Sequence, residues 1–366
     1  MGFDKIVIII MAVFSALGAL DRIFGNRLGL GKSYENGIKT IAELSLSMIG
    51  IIVLAPVLAN LLEPVIVPVY KFLGADAAIF AGTLLACDMG GAPLASELAS
   101  SPEAAQLGGL ICASMLGATV SFTIPVAMSA IADGDKKYAA KGILCGVITV
   151  PIGIFAGGLA AGFSAVMVLK NCVPIILFSL LIALGLWKAE RFLIKGFELF
   201  GKLITAVATV GLVAAGIELT TDFVIIPNLS PIADAFAVVG EIAIVLSGAF
   251  PLIAVITKLL KKPFKKLGEA LKMNETSVSG LVATLANSIA TFDMVKNMDE
   301  RGKIVNMAFA VSGAFVLGDH LAFTAGYDSS MIGAVIVGKL AAGICAVVLA
   351  LFVTKQKGVK NGKTKL

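Results

Sequence analysis

The chain has 366 residues, of which 58% are hydrophobic and only 14% charged, with a formal net charge of +5 and a mean hydropathy of +0.99. Soluble proteins are about 45–50% apolar and about 25% charged, so this chain has too little polar surface to cover a soluble globule. A soluble enzyme, a disordered chain and a secreted disulfide scaffold are excluded, and an all-α polytopic membrane protein is left.

The first apolar run, Ile6 to Leu20 within a span at 6–24, is followed directly by Asp21 and Arg22. No small-residue cleavage site follows, so it reads as an uncleaved first span and not as a signal peptide. Further spans lie at 40–62, 104–131, 137–163, 167–187, 203–221, 232–260, 304–325 and 331–353, each near the ~20 apolar residues that cross a bilayer. Segments 76–99 and 275–298 differ. Each has a short apolar run, a polar or glycine-rich break (Asp88-Met89-Gly90-Gly91, then Asn287-Ser288) and a second short run. Runs of about 11 residues reach only halfway through a ~30 Å core at 1.5 Å per residue. Both segments therefore read as re-entrant hairpins.

Charge tests that choice. If neither hairpin crosses, 25 of the 29 basic residues fall on one side, from Arg22 through the stretch 261–273 to the tail Lys355–Lys365. The other side receives Lys5, Lys71 and Lys170, and Lys339 lies within a span. The positive-inside rule then gives nine full crossings among 9–11 membrane segments, with the N-terminus outside and the C-terminus cytoplasmic. The first hairpin opens outward and the second inward. The stretch 261–273 reads as a basic interfacial helix.

The same order of features recurs around each hairpin. The string 116-LGATVSFT-123 follows the first, and 317-LGDHLAFT-324 follows the second, 201 residues on. Five spans separate the two copies of the leading helix, so they are inverted. This describes a single transporter domain over 1–366, with inverted repeats at about 40–163 and 232–354, linked by spans at 167–187 and 203–221. In such folds the site forms where broken helices meet near the midplane, because non-helical backbone must be buried in protein or line a watery cavity.

The polar residues at those breaks are the candidates. Asp88 sits at the first hairpin tip. An ionised carboxylate at membrane depth costs ~3 kcal/mol or more unless paired, so it is a substrate counter-charge or caps the adjacent half-helix. Asp319 and His320 stand in the second repeat where Ala118 and Thr119 stand in the first. They read as a second anionic ligand with a titratable neighbour, or as a pair that locks two helices together. Asn287 and Ser288, set opposite Cys87 and Asp88 in the repeat, offer neutral oxygens to an ammonium or hydroxyl, or satisfy loose backbone. Thr123 and Thr324 are ligands, or helix residues bonded to their own i−4 carbonyls. No basic residue neighbours either tip in sequence, although Lys339 could be the internal partner of an acid.

Other chemistry is absent. A lone histidine leaves no histidine metal cluster, and no Walker A loop or long hydrophilic domain is present. Five cysteines (Cys87, Cys112, Cys145, Cys172, Cys345) lack C-x-x-C spacing and lie in apolar stretches, as packed thiols do. No cofactor, metal, enzymatic activity or nucleic-acid partner is expected, and the basic excess belongs to cytoplasmic loops.

The strings 81-AGTLLACDMGG-91, 280-GLVATLAN-287, 297-NMDERGKIVNMAFAVSGAFVLGDHLAF-323 and 335-VIVGKL-340 resemble the ethanolamine permease family, the EutH-type membrane proteins of ethanolamine-utilisation operons. The likeness continues through 53-VLAPVLANLLEPVIVPVY-70 and 122-FTIPVAMSAI-131, most of the chain. Ser288 departs from the Ala-Asn-Asn of that family's second tip. The resemblance implies a bacterial cytoplasmic-membrane protein that admits ethanolamine to an ammonia-lyase pathway, with ethanolamine and the bilayer as partners; a homo-oligomer is compatible with it. The residues suit that cargo: Asp88 and Asp319 for the ammonium, Asn287 and Ser288 for the hydroxyl. Trp187 lies at a cytoplasmic end and no aromatic cage is formed, which argues against a quaternary ammonium. An ion-coupled carrier for another small polar solute, an ammonia or neutral-amine channel, and a scaffold or sensor with structural acids stay open.

Overall fold

The structure, a computed structural model, describes residues 2–354; the basic tail from 355, and the side chains of Ser47, 260–262, 264, 265 and 267–269 in and before the expected interfacial helix, lie outside the described residues. Every described element is helical. After α1 (Phe3–Ile23), one helix runs from Leu30 to Phe72 as α2 (Leu30–Leu44), a π-helical turn (Ser45–Ile49) and α3 (Gly50–Phe72). The first hairpin is α4 (Ala78–Leu84), a 3₁₀ turn (Cys87–Met89) and α5 (Gly91–Leu98). The next helix starts as α6 (Pro102–Gln106), turns π-helical over Leu107–Gly117 and Thr119–Thr123, and ends as α7 (Ile124–Ala130). Then follow α8 (Asp133–Ala160), α9 (Ala165–Lys188), α10 (Glu190–Thr221) and α11 (Ile232–Leu271). The second hairpin is α12 (Glu275–Ala286) with α13 (Ser288–Met294), and the chain closes with α14 (Glu300–Gly313), α15 (Asp319–Tyr327) and α16 (Ile332–Val353).

Among the described residues, eight helices are long and apolar enough to cross a membrane, so this is a multi-pass membrane protein. They match the expected spans with three differences, the first being that the expected 203–221 span starts at Glu190. The expected 40–62 span moves to Gly50–Phe72, because α2 carries Lys32, Glu35, Lys39 and Glu43. The expected crossing at 304–325 is split: α14 ends at Gly313, Phe315 takes a left-handed φ of 60°, and helix resumes at Asp319. The corresponding helix of the first half, 102–130, stays continuous and widens into π turns instead.

Each hairpin is clasped at its base. The Asp76 carboxylate accepts from Ser100 N–H at 3.1 Å and from the Ser100 hydroxyl. At the second, Asp299 accepts from Asn274 N–H at 2.8 Å and from Ser277 Oγ at 2.7 Å. A segment whose two ends are bonded together enters and leaves on one side. α4, with 7 residues, spans only about 10 Å. Burial alone would push the Asp299 carboxyl up, but these bonds and that from Gly302 N–H hold it below its ordinary value.

α8 organises the second half. A Cβ on Gly142, Gly146, Gly153 or Gly157 would press on the carbonyls of Ile304, Ala308, Gly338 and Ala334 respectively. This is the small-xxx-small spacing by which membrane helices approach closely. It draws α14 and α16 against α8 and fixes Lys339, next to Gly338, in the interior. Further bonds sort the helix ends onto two faces. Asp4 with Gly333, Gln106 with Asp328 and Asp76 with Asn171 join one set of ends, at 2.7–2.8 Å. Lys303 with Asp135, at 2.5 Å, joins the other.

Candidate functional site

The first tip is shaped by two extended residues, Leu85 and Ala86, that stop α4. The Ala86 N–H is taken up by Ser121 Oγ at 3.2 Å. The chain then turns through Cys87–Met89, and Gly90, at φ 92°, redirects it into α5. Asp88 projects from that turn. The break in the second half delivers its partners, because Asp319 and His320 are the first two residues of α15.

His320 Nε2 lies 3.9 Å from Asp88 Oδ1, and His320 Nδ1 lies 3.0 Å from Lys339 Nζ. Lys339 also donates to the carbonyl of Ser114, in the π-helical stretch, at 2.5 Å. The hairpin tip, α15, α16 and helix 102–130 thus converge in one polar chain. Lys339 has no exposure and His320 3%, whereas the Asp88 side chain keeps 18%. The acid is the member of the chain within reach of a solute. When Lys339 is an ammonium, His320 Nδ1 accepts from it and Nε2–H is directed at Asp88. A buried cation is stable only against such compensation.

Asp319 is half-buried and makes no hydrogen bond or ion pair among the described residues. It is close enough to Asp88 and to Glu43 to feel both charges. Phe315 packs on His320 with ring centroids 5.1 Å apart, and meets Phe122 edge-on at 5.6 Å. Cys87 Sγ, an Asp88 oxygen and a His320 nitrogen lie within 4.8 Å of one another, the one grouping of such donors among the described residues. When charged, Lys339 on the same imidazole opposes a divalent ion there.

The second tip abuts the break. Phe315 N–H and Leu317 N–H donate to the carbonyls of Thr284 and Leu285 at 3.1 and 2.9 Å. A Cβ on Gly318 would run into the Ala286 carbonyl, just as one on Gly117 would run into that of Leu85. Both pairs are 201 residues apart, which places Asn287 and Ser288 opposite Ala86 and Cys87, one position from the expected match. Asn287 Oδ1 caps α13 by accepting from Ile289 N–H at 2.8 Å. The buried Ser288 hydroxyl has no partner among the described residues. Thr324 Oγ1 donates to the His320 carbonyl at 2.7 Å, and Thr123 is buried just before α7.

Lys339, which the sequence offered as the internal partner of an acid, stands behind His320 and reaches Asp88 through that ring. The signal was present, since Lys339 is the single charge within 331–353. Ser114, Phe122 and Phe315 gave no such signal and enter only through packing.

Two vestibules approach the cluster. One, of about 880 Å³, is lined by Ser96, Gln106, Glu241, Tyr327 and Asp328 among others. It lies at the far ends of α5 and α15, which begin beside Asp88 and at Asp319. The other, of about 730 Å³, is lined by Met89, Ser121, Phe122, Glu198 and Lys202 among others. It begins at the residue after Asp88, and the Phe122–Phe315 pair lies between it and His320.

Residues 3–353 match a family model described as "Ethanolamine utilisation protein, EutH". A "Probable ethanolamine permease EutH" of Listeria monocytogenes is 54% identical over 361 residues, covering 99% of this chain and 97% of that protein. A protein of the same description from Escherichia coli K12 is 42% identical, covering 100% of this chain and 99% of its own. The "Uncharacterized protein YxeR" of Bacillus subtilis 168 is 46% identical over 99% of this chain and 98% of its own length. No solved structure matches.

Proposed function

We propose that this chain, which belongs to the EutH family, carries ethanolamine into the bacterial cell as its ammonium cation, across the cytoplasmic membrane. One observation carries the reading: the hairpin tip that bears Asp88 packs on the start of α15, which bears Asp319 and His320, in front of a buried His320–Lys339 pair. The substrate ammonium donates to both acids. Its hydroxyl faces the second tip, where Asn287 and the unpartnered Ser288 hydroxyl sit next to the break. Thr324 fixes the turn that holds His320, and Thr123 occupies the matching place in the other half.

The inverted repeat is part of this proposal. Its support is the pair of glycine–carbonyl contacts set 201 residues apart, and the placing of one vestibule beyond each set of breaks. The closed aromatic pair between the cluster and one vestibule favours a carrier that exposes the site to one face at a time. The N-terminus is assigned to the outside by the positive-inside rule.

Labelled ethanolamine uptake into proteoliposomes tests the reading. Saturation and counterflow are expected. Asp88→Asn and Asp319→Asn should each raise the half-saturation concentration by roughly tenfold, the effect of losing one close charge, or abolish uptake. Normal transport by both variants, once shown to reach the membrane, would remove the two-acid site. Flux without saturation or counterflow would favour a channel, and no flux at all a sensor.

A further inference from the structure

We infer that Lys339 is a specificity residue that fixes the charge of the cargo at one, so that a monocation is accepted and a dication of the same shape is refused. The inference rests on the cation-site reading above and deepens it.

Lys339 never meets the solute. It has no exposure, and His320 stands between it and Asp88. Both groups it touches, the Ser114 carbonyl and the Nδ1 edge of His320, can accept a hydrogen bond. An ammonium has donors only, and both contacts are ones that the charged form makes, as the inference requires. α8 holds α16 in place through Gly153 against the Gly338 carbonyl, so this cation cannot withdraw when a second one arrives.

The charges in the cluster can be counted by element. The hairpin tip brings Asp88 and the thiol Cys87, α15 brings Asp319 and His320, and α16 brings Lys339. Helix 102–130 meets them at the Ser114 carbonyl, which carries no charge. Glu43 reaches Asp319 electrostatically but is exposed on α2, outside the enclosed set. Two enclosed carboxylates therefore face one fixed ammonium. One mobile positive charge makes the set neutral, and a second is uncompensated where the low dielectric makes such an excess costly. Ethanolamine supplies one charge and a hydroxyl. 1,2-Diaminoethane has the same length with a second amine in place of that hydroxyl.

The test is competition of 1,2-diaminoethane against labelled ethanolamine in proteoliposomes, expressed as the ratio of the two half-saturation concentrations. Ethanolamine is singly charged through the range used, so of the two solutes only the diamine changes its charge. Wild-type protein should discriminate against the diamine in acidic medium, where both its amines are charged, and accept it better as one loses its proton. Lys339→Gln should shift the acidic-medium ratio toward the diamine by roughly tenfold or more, and Lys339→Arg should keep the wild-type preference. Equal acceptance of both amines by wild type in acid overturns the inference and leaves ethanolamine transport standing. An unchanged ratio in an active Lys339→Gln protein does the same. If Lys339→Gln does not fold, Lys339→Met, which removes the charge at similar length, is read in the same way. A wild type that moves no ethanolamine overturns both readings.

Discussion

A carboxylate held away from bulk water needs a counter-charge at all times or only when its ligand is present, and the two acids of the cluster divide along that line. Asp88 has His320 and Lys339 behind it, whether or not a solute is bound. Asp319 has no hydrogen bond or ion pair among the described residues, and it faces the charges of Asp88 and Glu43. The two neutral substitutions should therefore differ in stability although both harm uptake. Asp319→Asn removes like-charge repulsion and should leave the melting temperature of the ligand-free protein unchanged or raised. Asp88→Asn removes the carboxylate that faces the buried His320–Lys339 pair and should lower the melting temperature. Thermal unfolding in detergent, compared with wild type, reads the order; a lower melting temperature for Asp319→Asn than for Asp88→Asn would refute this division. At this scale the sequence exposed the actors but not their partnership. Lys339 and His320 each stand out as lone polar residues in apolar surroundings, yet nothing in their spacing of 19 positions says that they touch.

At the scale of elements, one sequence pattern has two structural outcomes. The Leu-Gly of 116–117 lies in a continuous helix that absorbs its irregularity as π turns, while that of 317–318 follows a complete break. Polar substitution explains part of the difference. Ala118 and Thr119 can continue a helix, and Thr119 bonds back to the Met115 carbonyl at 2.7 Å, whereas Asp319 and His320 begin a new one. Periodicity located both helices but could not say which would break, since the break depends on backbone bonds from Phe315 and Leu317 to the neighbouring hairpin. What the two copies share is the closeness of the glycine to the hairpin's first helix. Gly117→Ala and Gly318→Ala should each cost about 1–3 kcal/mol, because backbone lies where the methyl must go. Gly216, on α10, has open space around its Cβ position, so Gly216→Ala should be neutral or gain up to about 1 kcal/mol from helix propensity. Melting temperatures of the three variants check this, and a Gly117→Ala protein as stable as Gly216→Ala would show that the first contact is not tight.

For the whole molecule, hydropathy and charge together go further than either alone. Hydropathy located the spans to within a few residues except where a polar helix is fused to an apolar one, as α2 is to α3, or where a crossing is interrupted. Neither exception has a hydropathy signature, because fusion and interruption are settled by backbone geometry. The proposed orientation rests on charge. Of the described lysines outside the spans' interiors, Lys5, Lys71 and Lys170 belong to the ends joined by the Asp4–Gly333 and Asp76–Asn171 bonds, and Lys303 belongs to the opposite ends. α9 turns this into a measurable distance. Lys170 and Lys188 lie in the same helix, Ala165–Lys188, and are separated by about 27 Å at 1.5 Å per residue, close to the full ~30 Å hydrocarbon thickness. Four of the five native cysteines are buried and Cys345 is partly so, which keeps background labelling low. Single Lys170→Cys and Lys188→Cys proteins, treated in intact cells with a membrane-impermeant maleimide, should label at 170 and stay protected at 188. Permeabilising the cells should then expose 188. Labelling of both from outside would mean that α9 does not cross, and the charge count that orders every other span would fail with it. Labelling of 188 alone would keep the crossings and invert the molecule, turning the larger vestibule, beyond α5 and α15, toward the cytoplasm.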